Sequence, residues 1–324
     1  MYFCNMTQNS NNNGRAYEYA CLNCLYDAII KIRPAKILEN SSYQASQNAW
    51  NNISEAEHVI YNISANSTID TIFDLEPNII EKTEDQLNLY IQDDSHGIEG
   101  DVRDIIIERK EIVWEIGLSI KHNHEAVKHC RLSNSIDFGK KWYGVNCSEQ
   151  YWKDVSPIFD FLETERKKGT LFDELDGKED RVYLPILSAF KNELSRAIQI
   201  DKTIPTKLVE YLLGKYDFYK IISIDSIKVT TIQPFNMHGT LNKKSRVSEP
   251  QKRIPLISIP QKLAYLDFKQ DSKNTILMVF ESGWLFSFRI HNAEKRVIPS
   301  LKFDVQIIGM PADVNIKINC KWNI

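Results

Sequence analysis

The chain of 324 residues has no stretch near 18 consecutive apolar residues, so nothing in it has the length to span a bilayer as a helix. Its first residues, Met1 to Gly14, are rich in Asn and Ser and lack the basic-then-apolar layout of a secretory signal. A soluble cytoplasmic protein without membrane contact is expected. The six cysteines (Cys4, Cys21, Cys24, Cys130, Cys147, Cys320) are too irregularly spaced in too long a chain for a disulfide scaffold. Cys21 and Cys24 form a CxxC with no second CxxC or His pair at finger spacing, so buried reduced thiols are expected there. No internal repeat is present. An excess of one charge is missing too: 40 Lys and Arg stand against 43 Asp and Glu, a net charge of -3 that on average suits no polyanion.

What is present is a gradient. Residues 1–100 carry 5 basic and 14 acidic side chains, residues 101–200 carry 16 and 18, and residues 201–324 carry 19 and 11. Such asymmetry points to polyanion contact confined to one part of the molecule. With 43% apolar and 26% charged residues, the chain has ample material for one or two cored domains.

The Asn-rich run Asn9 to Asn13 has nothing to bury, so order is expected from Gly14. From Arg15 to Ile32 apolar residues recur at helical spacing until Pro34, and 43–65 and 71–91 read as two more amphipathic helices. At Gly100 the period changes to two. Residues 104–109 and 112–121 read as β-branched strands joined by a tight polar turn. Alternation sets Glu115, Gly117, Ser119 and Lys121 on one face and Trp114, Ile116, Leu118 and Ile120 on the other. Residues 122–138 and 151–214 read as helical, with a charged loop at 163–181. Strands are expected at 219–224 and 227–231, then short ones at 256–259, 263–268, 275–280, 284–290, 301–308 and 314–320. Trp284, Phe286 and Phe288 alternate within one of these and are expected in a core.

The segment that carries chemistry is Gly100-Asp-Val-Arg-Asp104, followed after fourteen residues by Ser119-Ile-Lys121. An acid opening one strand, with a polar residue and a Lys two apart on its neighbour, is the layout of the PD-(D/E)xK nuclease core. Phosphodiester hydrolysis calls for a divalent cation that neutralises phosphate and acidifies water, and hard oxygen ligands suit Mg2+. Asp104 is the preferred hairpin ligand, with Asp101 its rival, and Lys121 would orient the attacking water. Ser119 stands where that pattern has a second carboxylate and cannot replace a charged ligand. Three acids compete to supply it: Glu18 on the first helix, then Glu125, then Glu115, which lies about 20 Å from Lys121 along an extended strand.

Over a longer stretch the residues resemble a known family. The run Gly100-Asp-Val-Arg-Asp-Ile105, then Trp114-Glu-Ile-Gly-Leu-Ser-Ile-Lys-His-Asn-His124, Ala126-Val-Lys-His-Cys-Arg-Leu-Ser133, Ile136-Asp-Phe-Gly139 and Lys141-Trp-Tyr-Gly144 resembles the HaeIII-type family of type II restriction endonucleases. The likeness continues through Pro157-Ile-Phe159, Gly214-Lys-Tyr-Asp-Phe-Tyr-Lys220 and the helix from Gly14 to Leu25. It implies Mg2+-dependent cleavage of double-stranded DNA at the palindrome GGCC, cut bluntly between G and C, and a separate cognate methyltransferase protecting the host.

Two basic clusters are the expected DNA contacts. His122, Asn123, His124, Lys128 and Arg131 follow the catalytic strand; Lys243, Lys244, Arg246 and Arg253 lie in an exposed loop, with Arg246 and Arg253 as the expected base readers and Asn242 and Gln251 behind those two. The tripeptide His122-Asn-His124 is a chance match to the name of another nuclease class. A mixed α/β PD-(D/E)xK-like core is expected over 14–235, with a helical amino-terminal part, and a β-rich DNA-recognition region over 236–324. A palindromic target suits a homodimer, though a monomer nicking each strand in turn satisfies the same chemistry. Two other readings stay open: a repair or junction nuclease on the same fold, and a DNA-binding protein whose site is dead for want of an acid at Ser119.

Overall fold

The computed structural model describes residues 6–93, 100–123, 128–312 and 314–323, with the backbone alone for 6–11 and 129. The first helix, α1 (Met6–Ile29), starts ahead of Gly14, contrary to the expected frayed end. Once a helix is anchored, each further residue adds one backbone hydrogen bond, and the Asn run is carried along. A short strand β1 (Ala35–Ile37) follows. The stretch expected as one helix over 43–65 is two, α2 (Ser41–Asn51) and α3 (Glu55–Asn66). Ser54 divides them, its side chain accepting from the Glu57 N–H while Glu57 accepts from the Ser54 N–H, a capping box that starts a new helix. The helix expected over 71–91 stops as α4 (Ile69–Leu75), just before Pro77. Residues 87–91 form strand β2 (Leu87–Ile91), in which Leu87, Leu89 and Ile91 are buried, a period of two.

The hairpin is present as β3 (Ile105–Arg109) and β4 (Trp114–His122), with Ile105 opposite Leu118 and Arg109 opposite Trp114. The expected helix over 122–138 is absent among the described residues. In its place stands strand β5 (Lys128–Leu132), where Cys130 and Leu132 are buried and Arg131 is exposed. Four helices follow: α5 (Phe138–Tyr143), α6 (Glu149–Lys168), α7 (Leu184–Ile200) and α8 (Ile204–Leu213). The remaining strands are β6 (Phe218–Ile224), β7 (Val229–Phe235), β8 (Leu263–Phe268), β9 (Thr275–Phe280), β10 (Leu285–Asn292), β11 (Leu301–Gly309) and β12 (Ile318–Lys321). Residues 256–259 form no strand.

The strands form two sheets. A mixed seven-stranded sheet runs β1-β2-β3-β4-β6-β7-β12, with β4 parallel to β6, and an antiparallel five-stranded sheet runs β5-β11-β10-β9-β8. The expected boundary at 235–236 does not describe the chain. It divides instead into unit 1 (1–125, 214–258 and 313–324) and unit 2 (126–213 and 259–312). The interleaving follows from strand pairing: β12 returns to β7, and β5 is an edge of the sheet built from the carboxy-terminal strands.

In unit 1, helix α1 packs on the sheet face carrying Leu118, Ile120, Tyr219, Ile221 and Ile232. Ala16, Tyr17, Ala20, Cys21 and Leu25 face it and are buried. At the far end of β3 the fully buried Arg109 is bound by Glu81 and Asp85, and the neighbouring Arg33 also pairs with Asp85. A buried charge is tolerated only with such partners. The Arg109 guanidinium holds Asp85 well below the usual carboxylate range. In unit 2, Phe288 and Phe303 pack with Trp142 and Phe190, and Trp284 and Phe286 are fully buried, the core placement expected for the aromatic strand.

Candidate active site

Asp104 sits just outside β3 yet is held by the ladder on both sides. Its N–H donates to the Leu118 carbonyl (2.8 Å), and its carbonyl accepts from the Gln92 N–H (2.9 Å). The carboxylate then caps the next free position of β4: Oδ2 accepts from the Ile120 N–H (2.6 Å), from Lys121 Nζ (3.0 Å) and from Ser119 Oγ (3.3 Å). The three donors meet on one oxygen. The Asp104 and Lys121 side chains are 25% and 20% exposed, so the ion pair is open to solvent and gives the fold at most about 1 kcal/mol. Ser119, by contrast, is buried.

Glu18 lies on α1, which covers the face of β4 opposite to Ser119 and Lys121. Glu18 and Asp104 each bear on the Cys21 thiol of that helix. Burial first, then the negative fields of Cys24, Glu18 and Asp104, push the Cys21 thiol well above its ordinary range. Cys21 and Cys24 are both free thiols.

Asp101 and Glu115 are drawn elsewhere. Arg103 donates to both oxygens of Asp101 (2.8 to 3.1 Å) and to Glu115 Oε1 (2.8 Å), lies across Gly117, and stacks 4.2 Å from the Tyr216 ring. Both carboxylates are engaged by one guanidinium, and neither is paired with Lys121. Glu125 and His124 lie outside the described residues.

The first basic cluster is divided between the two units. His122 leaves β4 on the α1 side, its ring 4.8 Å from Tyr61 and 5.7 Å from Tyr17 and its Nε2 2.9 Å from Asp225. Asn123, at φ +56°, donates to Asp225 (3.0 Å) and accepts from the Asp225 N–H (3.0 Å). Both residues fasten the end of β4 to the end of β6, His122 part-buried and Asn123 exposed. Lys128 and Arg131 belong to unit 2. The Lys128 ammonium donates to the Tyr211 carbonyl (2.6 Å) and lies 3.7 Å over that ring, whereas Arg131 is exposed.

The second basic cluster is an exposed loop with a fixed backbone. Asn242, at φ +61°, donates to the Leu75 and Lys252 carbonyls and accepts from the Ile254 N–H, so its side chain ties the loop's two ends. The buried Glu76 accepts from the Asn242 N–H (2.5 Å) and the Tyr219 hydroxyl (2.7 Å), Asn78 donates to the Lys243 and Lys244 carbonyls, and Glu81 accepts from the Arg246 N–H. Lys243, Lys244, Arg246, Gln251 and Arg253 point to solvent. Their anchors cluster around Arg109, at the opposite end of β3 from Asp104 and about 17 Å away at 3.3 Å per residue.

Two residues escape a reading of the sequence. Lys220 lies opposite Ser119 on β6 and is buried, and Asp225 clamps His122 and Asn123. A lysine inside the apolar run Phe218-Tyr-Lys-Ile-Ile is a legible signal for the first. Nothing local marks Asp225, whose partners lie about a hundred residues earlier.

An ordered carboxylate and an ammonium sharing one oxygen, at the exposed end of a sheet, suit the hydrolysis of a charged ester, and comparison with known proteins sets the chain among the type II restriction enzymes. The protein named type II restriction enzyme HaeIII, from Haemophilus aegyptius, is 47% identical over 318 residues, 98% of this chain and 99% of that one. The profile of the HaeIII restriction endonuclease family matches residues 14–311, and the chain belongs to that family. No solved structure matches it.

Proposed function

We propose that the protein cleaves both strands of DNA at the palindrome GGCC, bluntly between G and C, with Mg2+ as cofactor and the Asp104 and Lys121 end of β4 as the catalytic centre. Membership of the HaeIII restriction endonuclease family makes it a type II site-specific deoxyribonuclease. The observation that carries the choice of centre is the convergence of Ile120 N–H, Lys121 Nζ and Ser119 Oγ on Asp104 Oδ2.

That arrangement fits a hard cation. The three donors use Oδ2 and leave Oδ1 of a carboxylate whose direction is fixed by backbone. Among the described residues no group of three or more acids, histidines or cysteines is gathered for a metal. Mg2+ needs no such cage, since it keeps several waters and takes one or two carboxylates together with substrate phosphate. Asp104 would hold it, with Glu18 as the second carboxylate. When bound, the cation offsets phosphate charge and lowers the pKa of its water from about 15.7 towards 7. Lys121 contributes an ammonium with three donors, one of them on Asp104 and the others able to orient the attacking water. Ser119 and the Ile120 N–H act through Asp104, keeping its carboxylate in one direction.

The target being a palindrome, a two-fold homodimer is the economical assembly, and a cognate methyltransferase is the expected partner in the cell. The site is read as that of a cytoplasmic enzyme; no described helix is long and apolar enough to cross a membrane. Base reading is assigned to Arg246 and Arg253, with Lys243 and Lys244 on phosphates. The test is digestion of a plasmid of known sequence by the unmodified chain and by Asp104→Asn. Discrete fragments ending at GGCC from the first and intact plasmid from the second support the reading; equal cutting by both removes the site assignment.

A further inference from the structure

We propose that the outward face of the second sheet is a binding surface for the phosphate backbone of duplex DNA, built from Arg131, Lys302, His291 and Arg289. This rests on the DNA substrate proposed above and adds residues of unit 2 to it.

The strand register makes the case. Arg131 on β5 lies directly opposite Lys302 on β11, and Lys302 directly opposite His291 on β10, so three basic side chains stand in one row across three strands. In the adjoining row Arg289 lies opposite Asp304. The other side of these strands carries Phe303, Phe288, Ile290 and Leu301, all buried, so the basic row is on the face turned away from the core of unit 2. Side chains directly opposite in a sheet have their Cβ atoms about 4.5–5.5 Å apart, and like charges there destabilise the pair. Arg131 opposite Lys302 is such a like-charge pair.

Compensation from within is slight. Among the described residues of these two rows the single acid is Asp304, 3.4 Å from Arg289. Burial and then Arg131 lower the affinity of Lys302 for its proton; burial, then Arg289 and Lys302, do the same at His291, with Asp304 opposing in both cases. The charges of Arg131, Lys302 and Arg289 are thus felt by their neighbours, and His291, its proton held less tightly, contributes a neutral ring to the row. A ladder of phosphates satisfies the row, because each one neutralised by Arg or Lys releases counterions and so adds salt-dependent affinity that carries no sequence information. Arg131 and Arg289 are exposed and reach outward, while Lys302 between them is half-buried with a mobile stem.

The test is the double variant Arg131→Gln and Lys302→Gln, compared with the unmodified chain by equilibrium binding without divalent cation, over a series of salt concentrations. One duplex contains GGCC and the other a scrambled site. The expected result is weaker binding to both duplexes by the same factor, with the slope of log affinity against log salt shallower by about 0.9 for each phosphate no longer neutralised. The melting temperature stays level or rises because the Arg131–Lys302 repulsion is relieved. Unchanged affinity and slope, beside normal binding by the unmodified chain, overturn this assignment alone. A loss confined to the GGCC duplex also overturns it, since the residues would then read bases. If the unmodified chain binds neither duplex, the DNA substrate itself is wrong, and this surface falls with it.

Discussion

At Asp104 the backbone N–H of Ile120 and two side chains fix one carboxylate oxygen, so the group's direction is settled by the strand and its charge is left for chemistry. Asp104→Asn keeps the shape and removes the charge. The expected outcome is a fall in single-turnover cleavage of about a thousandfold or more, the several kcal/mol that a held cation supplies to the transition state. Because the ion pair with Lys121 is partly exposed, unfolding free energy should move by less than about 1 kcal/mol; cleavage rates and chemical denaturation check the two halves separately. Glu76 offers a test by pH. Burial raises its carboxyl from the ordinary 4.5 to about 7, against the lowering effect of the Asn242 N–H and the Tyr219 hydroxyl. With the folded value above the unfolded one, its contribution is fully present below pH 4.5 and is lost as pH rises through 7. Glu76→Gln should therefore match the unmodified chain in stability at pH 4.5 and exceed it at pH 8 by up to about 3 kcal/mol; denaturant midpoints at the two pH values decide it. An unchanged pH slope would place no ionisable cost at Glu76. Asp104, Ser119 and Lys121 are legible as a group because a strand alternates. Lys220 is marked only as a lysine inside an apolar run, and Asp225 not at all, since what they touch is set by β4 and β6 lying side by side, which no local pattern encodes.

Elements show the same division. The hairpin β3 to β4 is plain from its β-branched runs, and so are α6 to α8 from helical period and length. Strand β5 reads wrongly as helix because the basic residues around Cys130 and Leu132 leave only two buried positions, too few to separate a period of two from one of 3.6. A helix over 71–91 overlooks Pro77 and the alternation of Leu87, Leu89 and Ile91. Within β4, Gly117 is demanded by its neighbour: a Cβ there would stand 2.0 Å from Arg103 Cδ and 2.5 Å from its Cγ. Arg103 has no room to yield, being held by Asp101 and Glu115. Gly117→Ala is expected to destabilise the fold by about 1–3 kcal/mol, the usual range for overpacking. The same change made in an Arg103→Ala background should be much milder, and a double-mutant cycle on thermal or denaturant unfolding measures that coupling. The loop 242–254 is likewise an element with fixed ends. Asn242→Ala removes the side-chain hydrogen bonds to Leu75, Lys252 and Ile254 and leaves the basic residues in place. It should hasten proteolytic nicking near the exposed Val247 without touching cleavage chemistry at Asp104.

For the whole molecule, the division into an acidic first third and a basic last part is real but is not a division into domains. Acidic residues such as Glu76, Glu81 and Asp85 are consumed inside unit 1, where they hold Arg109, Arg33 and the backbone of the basic loop. A net charge of -3 therefore understates the positive side chains available at the surface. The boundary expected at 235–236 fails for a topological reason: each unit is completed by strands far apart in the chain, and chain order carries no mark of which edge a late strand will join. Cleavage at GGCC is a claim tested most directly by the fragment ends themselves, sequenced after digestion of DNA of known sequence with Mg2+ present, and again after chelation. The expected result is a discrete set of blunt ends, each cut between G and C of GGCC, and no cutting once the metal is removed. Ends at other sequences, staggered ends, or cleavage that persists in chelator would contradict that claim.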